Sequence, residues 1–281
     1  MMKRTMFCAL ASLIASAVFA HDFWLATSRW HVPPGATVVI TANVGDDIYP
    51  RSENATAPER VESLRLIGPT MTVLTPQYRV IDKSLTADVT LPPVPATYLA
   101  AMVVKGRFLS MEGKAFIDSL TEEGLDRLVE EVTRRGEGEK KSRERYWREA
   151  KVLIRAGDGA SEHVTQPVVG MAAQLVPDTD LTRAKLGDSI GVRLLAEGKP
   201  VDGAQVSLTA AAPGPITSRV THARTDADGR ARLTVAKQGP YLITSVHMVR
   251  REGETGEQAA DWESYWCSLT FDVAPSRATI K

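Results

Sequence analysis

Short apolar runs rich in β-branched and aromatic residues alternate with proline and glycine along most of the chain. Runs of four to eight such residues bounded by turn residues are typical of β-strands. We therefore predict a mainly β protein, with an N-terminal β-sheet domain over residues 21–178. Its clearest strand candidates are residues 37–41, 61–67, 86–91 and 98–104.

The hydrophobic period changes in the middle of this first domain. Apolar residues at i, i+3, i+4 and i+7 indicate one face of an amphipathic helix. A Gly-Glu-Gly interruption at residues 136–138 separates this helix from a second, highly charged helical candidate at Glu139–Ala150. We therefore predict a helical insertion over about residues 114–150. The residues with helical spacing are Leu125, Leu128, Val129 and Val132.

A second group of short strands, divided by regular turns, follows from about residue 182 and predicts a β-sandwich domain over residues 179–281. Two segments resemble those of known β-sandwiches. The segment that leads into a strand at 198–206 reads Gly-Lys-Pro-Val-Asp-Gly-Ala-Gln-Val. The turn at 225–230 reads Thr-Asp-Ala-Asp-Gly-Arg. This domain resembles the transthyretin-like and carboxypeptidase-regulatory-like folds. The resemblance implies a fold and no particular function.

The first twenty residues have the pattern of a cleavable secretory signal peptide. Lys3 and Arg4 precede an apolar stretch over residues 6–19 that is too short for a membrane span. Cleavage after Ala17 or after Ala20 fits the small-residue rule, and we prefer Ala20 because it leaves the longer apolar core. We expect a periplasmic protein with no membrane span after cleavage, and therefore soluble.

The overall composition excludes some functions. Lys plus Arg equals Asp plus Glu at 34 each, so the chain gives no electrostatic reason to bind nucleic acid. After cleavage one cysteine remains, Cys267, which cannot form an internal disulfide and is interpreted as a small core residue. No zinc, phosphate-loop or serine-nucleophile motif is present. The sequence therefore leaves enzymatic activity open and favours a protein that is not an enzyme.

Cleavage after Ala20 would make His21 the first residue of the mature protein. A terminal histidine carries an α-amino group and an imidazole Nδ1 that close a chelate ring on one metal ion. The α-amino pKa of about 7.7–8.0 lets a metal displace the proton near neutrality. The alternative is that histidine follows the cleavage site by chance, and the residues alone leave both interpretations open.

A second candidate cluster lies near the C-terminus. If the last two strands form a hairpin centred near Thr255, His247 lies opposite Glu263, at a Cβ separation of about 4.5–5.5 Å. A buried carboxylate needs a partner, which His247 or Arg250 could supply. A structural ion pair within the hairpin is the interpretation we favour for this cluster on its own. His31, His163 and His222 are interpreted as surface residues.

The chain as a whole resembles a bacterial envelope family, domain of unknown function 4198, which is associated with nickel uptake and called NikM-like. The resemblance implies cleavage after Ala20 and a metal site formed by His21 with His247 and a carboxylate from Glu263 or Asp261. It rests on three segments: His21-Asp22-Phe23-Trp24-Leu25, Arg143-Glu144-Arg145-Tyr146, and 247–250 with 261–266.

The resemblance further implies a divalent transition metal as ligand and a membrane component of a metal-uptake system as partner. Nitrogen-rich ligation suits nickel, cobalt, copper or zinc, with intrinsic affinity favouring copper over nickel. We therefore expect a periplasmic protein that captures or delivers such a metal. Two alternatives stay open: a copper redox enzyme that uses the terminal histidine, and a non-catalytic envelope interaction module.

Overall fold

The computed structural model describes residues 21–45, 48, 52–211, 219–257 and 259–275. The predicted signal peptide at 1–20 lies outside these residues. Within the described residues the chain is built from strands and two short helices. The strands are β1 Asp22–Thr27, β2 His31–Val32, β3 Thr37–Gly45, β4 Val61–Ile67, β5 Met71–Leu74, β6 Arg79–Ile81, β7 Ser84–Thr90, β8 Ala96–Met111, β9 Ser142–Ala156, β10 Ala173–Pro177, β11 Ser189–Ala196, β12 Lys199–Pro200, β13 Gln205–Ala210, β14 Arg219–Arg224, β15 Arg230–Thr234, β16 Gly239–Arg250 and β17 Trp262–Val273; the helices are α1 Gly113–Glu122 and α2 Asp126–Arg134.

One large sheet runs through the described chain. Its strand order is β14-β13-β16-β17-β9-β8-β4-β5, and β2 adds to β9. The pairing of β17 with β9 is parallel, whereas their outer neighbours β16 and β8 pair antiparallel. Because β9 precedes the predicted domain boundary at 178/179 and β17 follows it, strands from both predicted domains hydrogen-bond within one sheet. The boundary itself stays a prediction.

Two smaller sheets cover opposite faces of the large sheet. Alternation along β8 shows this directly, because Tyr98 and Ala100 belong to one buried cluster while Leu99 and Ala101 belong to the other. The first cluster includes β1, β3 and β7, from the sheet ordered β1-β3-β7-β6; the second includes β10, β11 and β15, which pair with one another through β11. Face-to-face packing of apolar strands confirms the prediction of a mainly β, sandwich-type fold.

The helical prediction is correct in its first part and wrong in its second. Helices α1 and α2 occupy residues 113–122 and 126–134, and Val132 of the predicted apolar face is buried. The second candidate, Glu139–Ala150, instead contributes to strand β9. The charged residues suggested a solvated helix, but backbone pairing with β8 on one side and β17 on the other overrides that local preference.

The C-terminal hairpin is present, with a different register from the predicted one. His247 lies opposite Tyr265, and Glu263 lies opposite Val249. The centre of the hairpin is therefore Gly256 and not Thr255. Moving the centre by one residue moves every cross-strand partner by two positions, which keeps each side chain on its face but changes its neighbour. The predicted direct pairing of His247 with Glu263 is wrong.

Candidate functional site

Two of the predicted metal ligands are carboxylates engaged by arginine. Glu263 is 6% exposed and accepts hydrogen bonds from Arg145 Nη1 at 2.9 Å and from Arg251 Nε at 2.7 Å. Asp261 accepts the backbone N–H of Arg143 at 2.9 Å and also contacts its guanidinium at 3.5 Å. A buried carboxylate held by two guanidinium groups serves to fix the strands. Glu263 thus forms structural ion pairs with arginine, although neither arginine is the predicted Arg250.

The arginine predicted to serve Glu263 has different partners. Arg250 Nε donates to Glu131 at 2.6 Å, and its Nη2 donates to Glu137 at 2.9 Å. Its guanidinium lies 4.2 Å from the ring centroid of Trp262. Arg250 therefore attaches helix α2 and the loop after it to the end of the large sheet. The next residue, Arg251, pairs with Glu263 instead.

His247 belongs to an aromatic ladder across three strands. Its ring lies 6.5 Å from that of Tyr265, which in turn stacks on Trp147 at 5.3 Å with an interplanar angle of 16°. The strand register places these three residues directly opposite one another on β16, β17 and β9. Burial lowers the pKa of His247, although Glu197 nearby opposes the shift. The imidazole is therefore packed among rings as a neutral group near pH 7.

His21 lies at the start of β1, on the other side of the large sheet. Its backbone carbonyl accepts a hydrogen bond from Arg148 Nη2 at 3.1 Å. Because Trp147 and Arg148 are consecutive on β9, their side chains point to opposite faces. His247 stacks on the Trp147 side, so His21 and His247 are separated by the sheet. The structure does not bring the four implied ligands together.

Glu53 is an acidic neighbour of His21. Nε2 of His21 lies 3.8 Å from Oε2 of Glu53, and the two side chains are 22% and 48% exposed. Over the described part of the chain, no group of three or more histidine, cysteine, aspartate or glutamate side chains has the geometry to hold a metal ion. Metal binding through His21 stays a prediction.

A cluster of arginines beside His21 was missed by the sequence analysis. We call Arg60, Arg107 and Arg148 the arginine cluster. Arg148 is placed with its guanidinium carbon 5.8 Å from the ring centroid of Phe23 and 5.4 Å from that of Tyr146. Burial lowers the pKa of Arg148, and the charges of Arg60 and Arg107 lower it further. The sequence did show that Tyr146 and Arg148, two residues apart, would share one face of a strand. It did not show that Arg60, from a distant turn, would lie beside them.

A second buried polar group lies between the large sheet and β10. Lys151 is 1% exposed and donates from Nζ to Gln174 Oε1 at 2.6 Å and to the Leu175 carbonyl at 3.1 Å. Burial lowers the pKa of Lys151 to about 7, partly offset by the neighbouring Cys267 and Glu149. Cys267 is buried, in keeping with its interpretation as a core residue. This hydrogen-bonded network joins β9 to β10 within the core.

None of the described helices is both long and apolar enough to cross a membrane.

Comparison with solved structures returns β-rich proteins of low similarity. A DUF4785 family protein from Legionella pneumophila is 11% identical, with 79% of this chain and 50% of that chain covered and a TM-score of 0.23. The Escherichia coli adhesin FdeC is 13% identical, with 91% and 65% covered and a TM-score of 0.23. The chain thus spans half the length of the Legionella protein. At these TM-scores the likenesses carry no argument about fold or function.

Comparison by sequence identifies the family. No curated protein matches the chain. The family described as "Domain of unknown function (DUF4198)" matches residues 18–249, which is most of the chain and includes His21, the arginine cluster and His247. The match extends across both predicted domains, in agreement with the shared central sheet. The chain therefore belongs to the DUF4198 family.

Proposed function

We propose that this protein is a soluble periplasmic metal-binding protein that captures or delivers a divalent transition metal through His21. The observation that carries the proposal is the position of the His21 imidazole, which lies at the start of the first strand with its Nε2 facing the Glu53 carboxylate at 3.8 Å. Removal of the signal peptide after Ala20 would place a free α-amino group on the same residue.

The chemistry of this arrangement assigns a separate role to each nitrogen. The α-amino group and Nδ1 of His21 close a chelate ring on the metal, which leaves Nε2 directed away from the ion. Histidines that bind metals commonly direct their other ring nitrogen at a carboxylate, which fixes the tautomer and raises the basicity of the ligand. Glu53 supplies such a carboxylate, so it orients the chelating histidine and does not need to touch the ion.

The start of the mature chain is held in place, which favours a preformed chelate. Asp22 and Phe23 pair in register with Gly45 and Val44 of β3, and Phe23 is 3% exposed. Arg148 holds the His21 carbonyl from the large sheet. These contacts remove the conformational freedom that a terminal residue normally has. Metal binding would therefore cost less ordering entropy than at a frayed terminus.

The other histidines have partners elsewhere in the described structure, so we do not assign them to this metal site. His31 contacts Asp272 at 3.1 Å, His163 contacts the Thr97 carbonyl at 2.6 Å, and His222 contacts Ser207 at 2.9 Å. A chelate from one residue leaves coordination positions for water or for a donor from a partner. Such an open site suits transfer of nickel, cobalt, copper or zinc to or from an uptake component in the membrane.

The test is metal binding by protein purified from the periplasm without an N-terminal tag. Titration calorimetry with Ni²⁺, Co²⁺, Cu²⁺ and Zn²⁺ is expected to show one site per chain, after mass spectrometry has confirmed His21 as the first residue. His21→Gln removes the imidazole, and insertion of one alanine before His21 moves the α-amino group away. Both are expected to weaken binding at least a hundredfold, because each removes one of the two chelating nitrogens.

Matched controls separate this site from the other histidines. His222→Gln removes an exposed imidazole from β14, and His247→Gln removes the imidazole of the aromatic ladder; both are expected to bind metal as the wild type does. Glu53→Gln is expected to weaken binding about 10- to 100-fold through loss of the orienting carboxylate. Unchanged affinity in both His21→Gln and the alanine insertion would contradict the proposal.

A further inference from the structure

We infer that the arginine cluster is a binding site for a small oxyanion: phosphate, sulfate or the carboxylate group of an organic acid. The site lies on the face of the large sheet that also carries the contact with His21, and it is separate from the metal chelate. The inference does not depend on the proposed function, because no residue of the arginine cluster is a metal ligand there.

Strand register brings the donors together. Arg107 on β8 lies directly opposite Tyr146 on β9, and Arg148 follows two residues later on the same face of β9. Arg60 reaches this face from the short 3₁₀ turn at Pro58–Arg60, and its Nη2 donates to the Lys105 carbonyl at 2.7 Å. Arg60 also interacts electrostatically with Tyr146, which partly offsets the burial that lowers the pKa of this arginine. Two strands and one turn thus bring three arginines close to Tyr146.

Two of the three guanidinium groups, those of Arg60 and Arg148, are held by the protein before any ligand binds. Arg148 is held by its contacts with the Phe23 and Tyr146 rings and by the His21 carbonyl. Planar guanidinium groups held in this way match the geometry of carboxylate and phosphate oxygens and lose little entropy on binding them. The arrangement is therefore preorganised for an anion.

Three positive charges lie close together in the arginine cluster. Arg60 and Arg107 each lower the pKa of Arg148, and Arg107 also lowers that of Arg60, so the three positive charges lie within electrostatic range of one another. The carboxylate of Asp22 offsets part of this charge at Arg148. The three like charges repel one another in the folded state, and a bound oxyanion would relieve that repulsion.

The cluster is open on one side and closed on the other. Arg107 is exposed, Arg60 and Tyr146 are half-buried, and Nε of Arg148 is buried with no hydrogen-bond partner among the residues that the structure describes. A buried donor without a partner is rare, because it loses its hydration without replacement. An oxyanion entering past Arg107 would meet Arg60 and the Tyr146 hydroxyl first, with the charge of Arg148 behind them.

The test is titration of the full mature protein with inorganic phosphate, with sulfate and with citrate, each followed by calorimetry at low salt in a buffer without other oxyanions. At least one of these anions is expected to bind with a stoichiometry of one per chain. The anion that binds most tightly identifies the chemical class of the ligand. Arg107→Gln and Arg60→Gln are expected to weaken binding tenfold or more, the effect of losing a hydrogen bond between charged groups. Arg107→Lys keeps the charge but not the planar geometry, and it is expected to lose less anion affinity than Arg107→Gln.

Arg79→Gln is the matched control. Arg79 is a half-exposed arginine on β6 whose Nη1 already pairs with Asp88 at 2.9 Å, so its loss should leave anion binding unchanged. His21→Gln keeps the backbone carbonyl that holds Arg148 and should also retain anion binding, which distinguishes this site from the metal chelate. The inference is overturned if none of the three anions binds, or if Arg107→Gln and Arg60→Gln bind as tightly as the wild type.

Discussion

Trp147 and Tyr265 stack with their ring centroids 5.3 Å apart across the parallel junction of β9 and β17. These two strands come from the segments that the sequence analysis assigned to different domains. The two halves are therefore joined by side-chain stacking as well as by the backbone hydrogen bonds between β9 and β17. His247 extends the stack on the far strand, so its position is explained by packing at this junction.

Close packing at this junction predicts that Gly106→Ala destabilises the protein. An added Cβ at Gly106 would lie 2.8 Å from Cε2 and 3.0 Å from Nε1 of Trp147, which is held by the Tyr265 stack. We expect a loss of about 1–3 kcal/mol in the free energy of unfolding, the typical cost of overpacking. Urea denaturation followed by tryptophan fluorescence measures it.

The control for this prediction is Gly138→Ala, where an added Cβ meets nothing within 4 Å. Its backbone φ is not positive, so alanine introduces no strain there. The alanine variant should match or slightly exceed the wild type in stability. Equal stability of Gly106→Ala and Gly138→Ala would show that Trp147 can move and that the stack does not constrain it.

The buried Lys151 predicts a rise in stability with pH above neutrality. Its pKa is about 7 in the folded protein against an ordinary lysine value of 10.5, so above pH 7 the unfolded chain binds a proton that the folded chain does not. Stability therefore increases with pH in this window. We expect roughly 1 kcal/mol per pH unit between pH 7 and 8.5, measured by urea denaturation at a series of pH values.

Replacement of this lysine separates its effect from other titrations. Lys151→Met removes the titrating group while keeping an unbranched side chain, so its unfolding free energy should vary less with pH between 7 and 8.5 than that of the wild type. The window ends at 8.5 because the raised pKa of Cys267 acts in the opposite direction once the unfolded thiol ionises near 9.0. An unchanged slope in Lys151→Met would assign the pH dependence to another group.

The carboxylate of Glu263 predicts a structural effect without loss of metal binding. Glu263→Gln removes the negative charge that Arg145 and Arg251 share, while the amide keeps the shape of the side chain. We expect a loss of about 1–3 kcal/mol in stability, below the full cost of breaking a buried pair because both arginines are partly exposed to water. Thermal unfolding and metal titration measure the two properties.

A matched surface pair is available for comparison. Asp118→Asn breaks the ion pair with Lys114, in which the two side chains are 62% and 81% exposed, and should change stability by less than about 0.5 kcal/mol. If Glu263→Gln abolished metal binding while Asp118→Asn did not, Glu263 would have to be reassigned to the metal site. Retained binding with lowered stability would support the structural role.

Individual residues show which parts of the fold the local sequence pattern predicts. The apolar spacing ending at Val132 correctly indicated helix α2, because a helix that packs one face shows its period in the local sequence. The same reasoning failed at Tyr146 and Trp147, in the charged stretch that forms β9. Its charges are accommodated by partners elsewhere in the chain, such as Glu263 for Arg145, and no local pattern reports such partners.

The amino-acid sequence was enough to predict the strand-rich class, the family, His21 as a candidate ligand and the approximate position of the last hairpin. Each of these is encoded in contiguous residues, where turn chemistry and alternation act over a few positions. The folded structure pairs β9 with β17, puts His21 and His247 on opposite faces of one sheet, and brings Arg60 and Arg107 close to Tyr146 and Arg148. These relations depend on strand register and on which face is covered, and both are set by long-range packing that local composition does not contain.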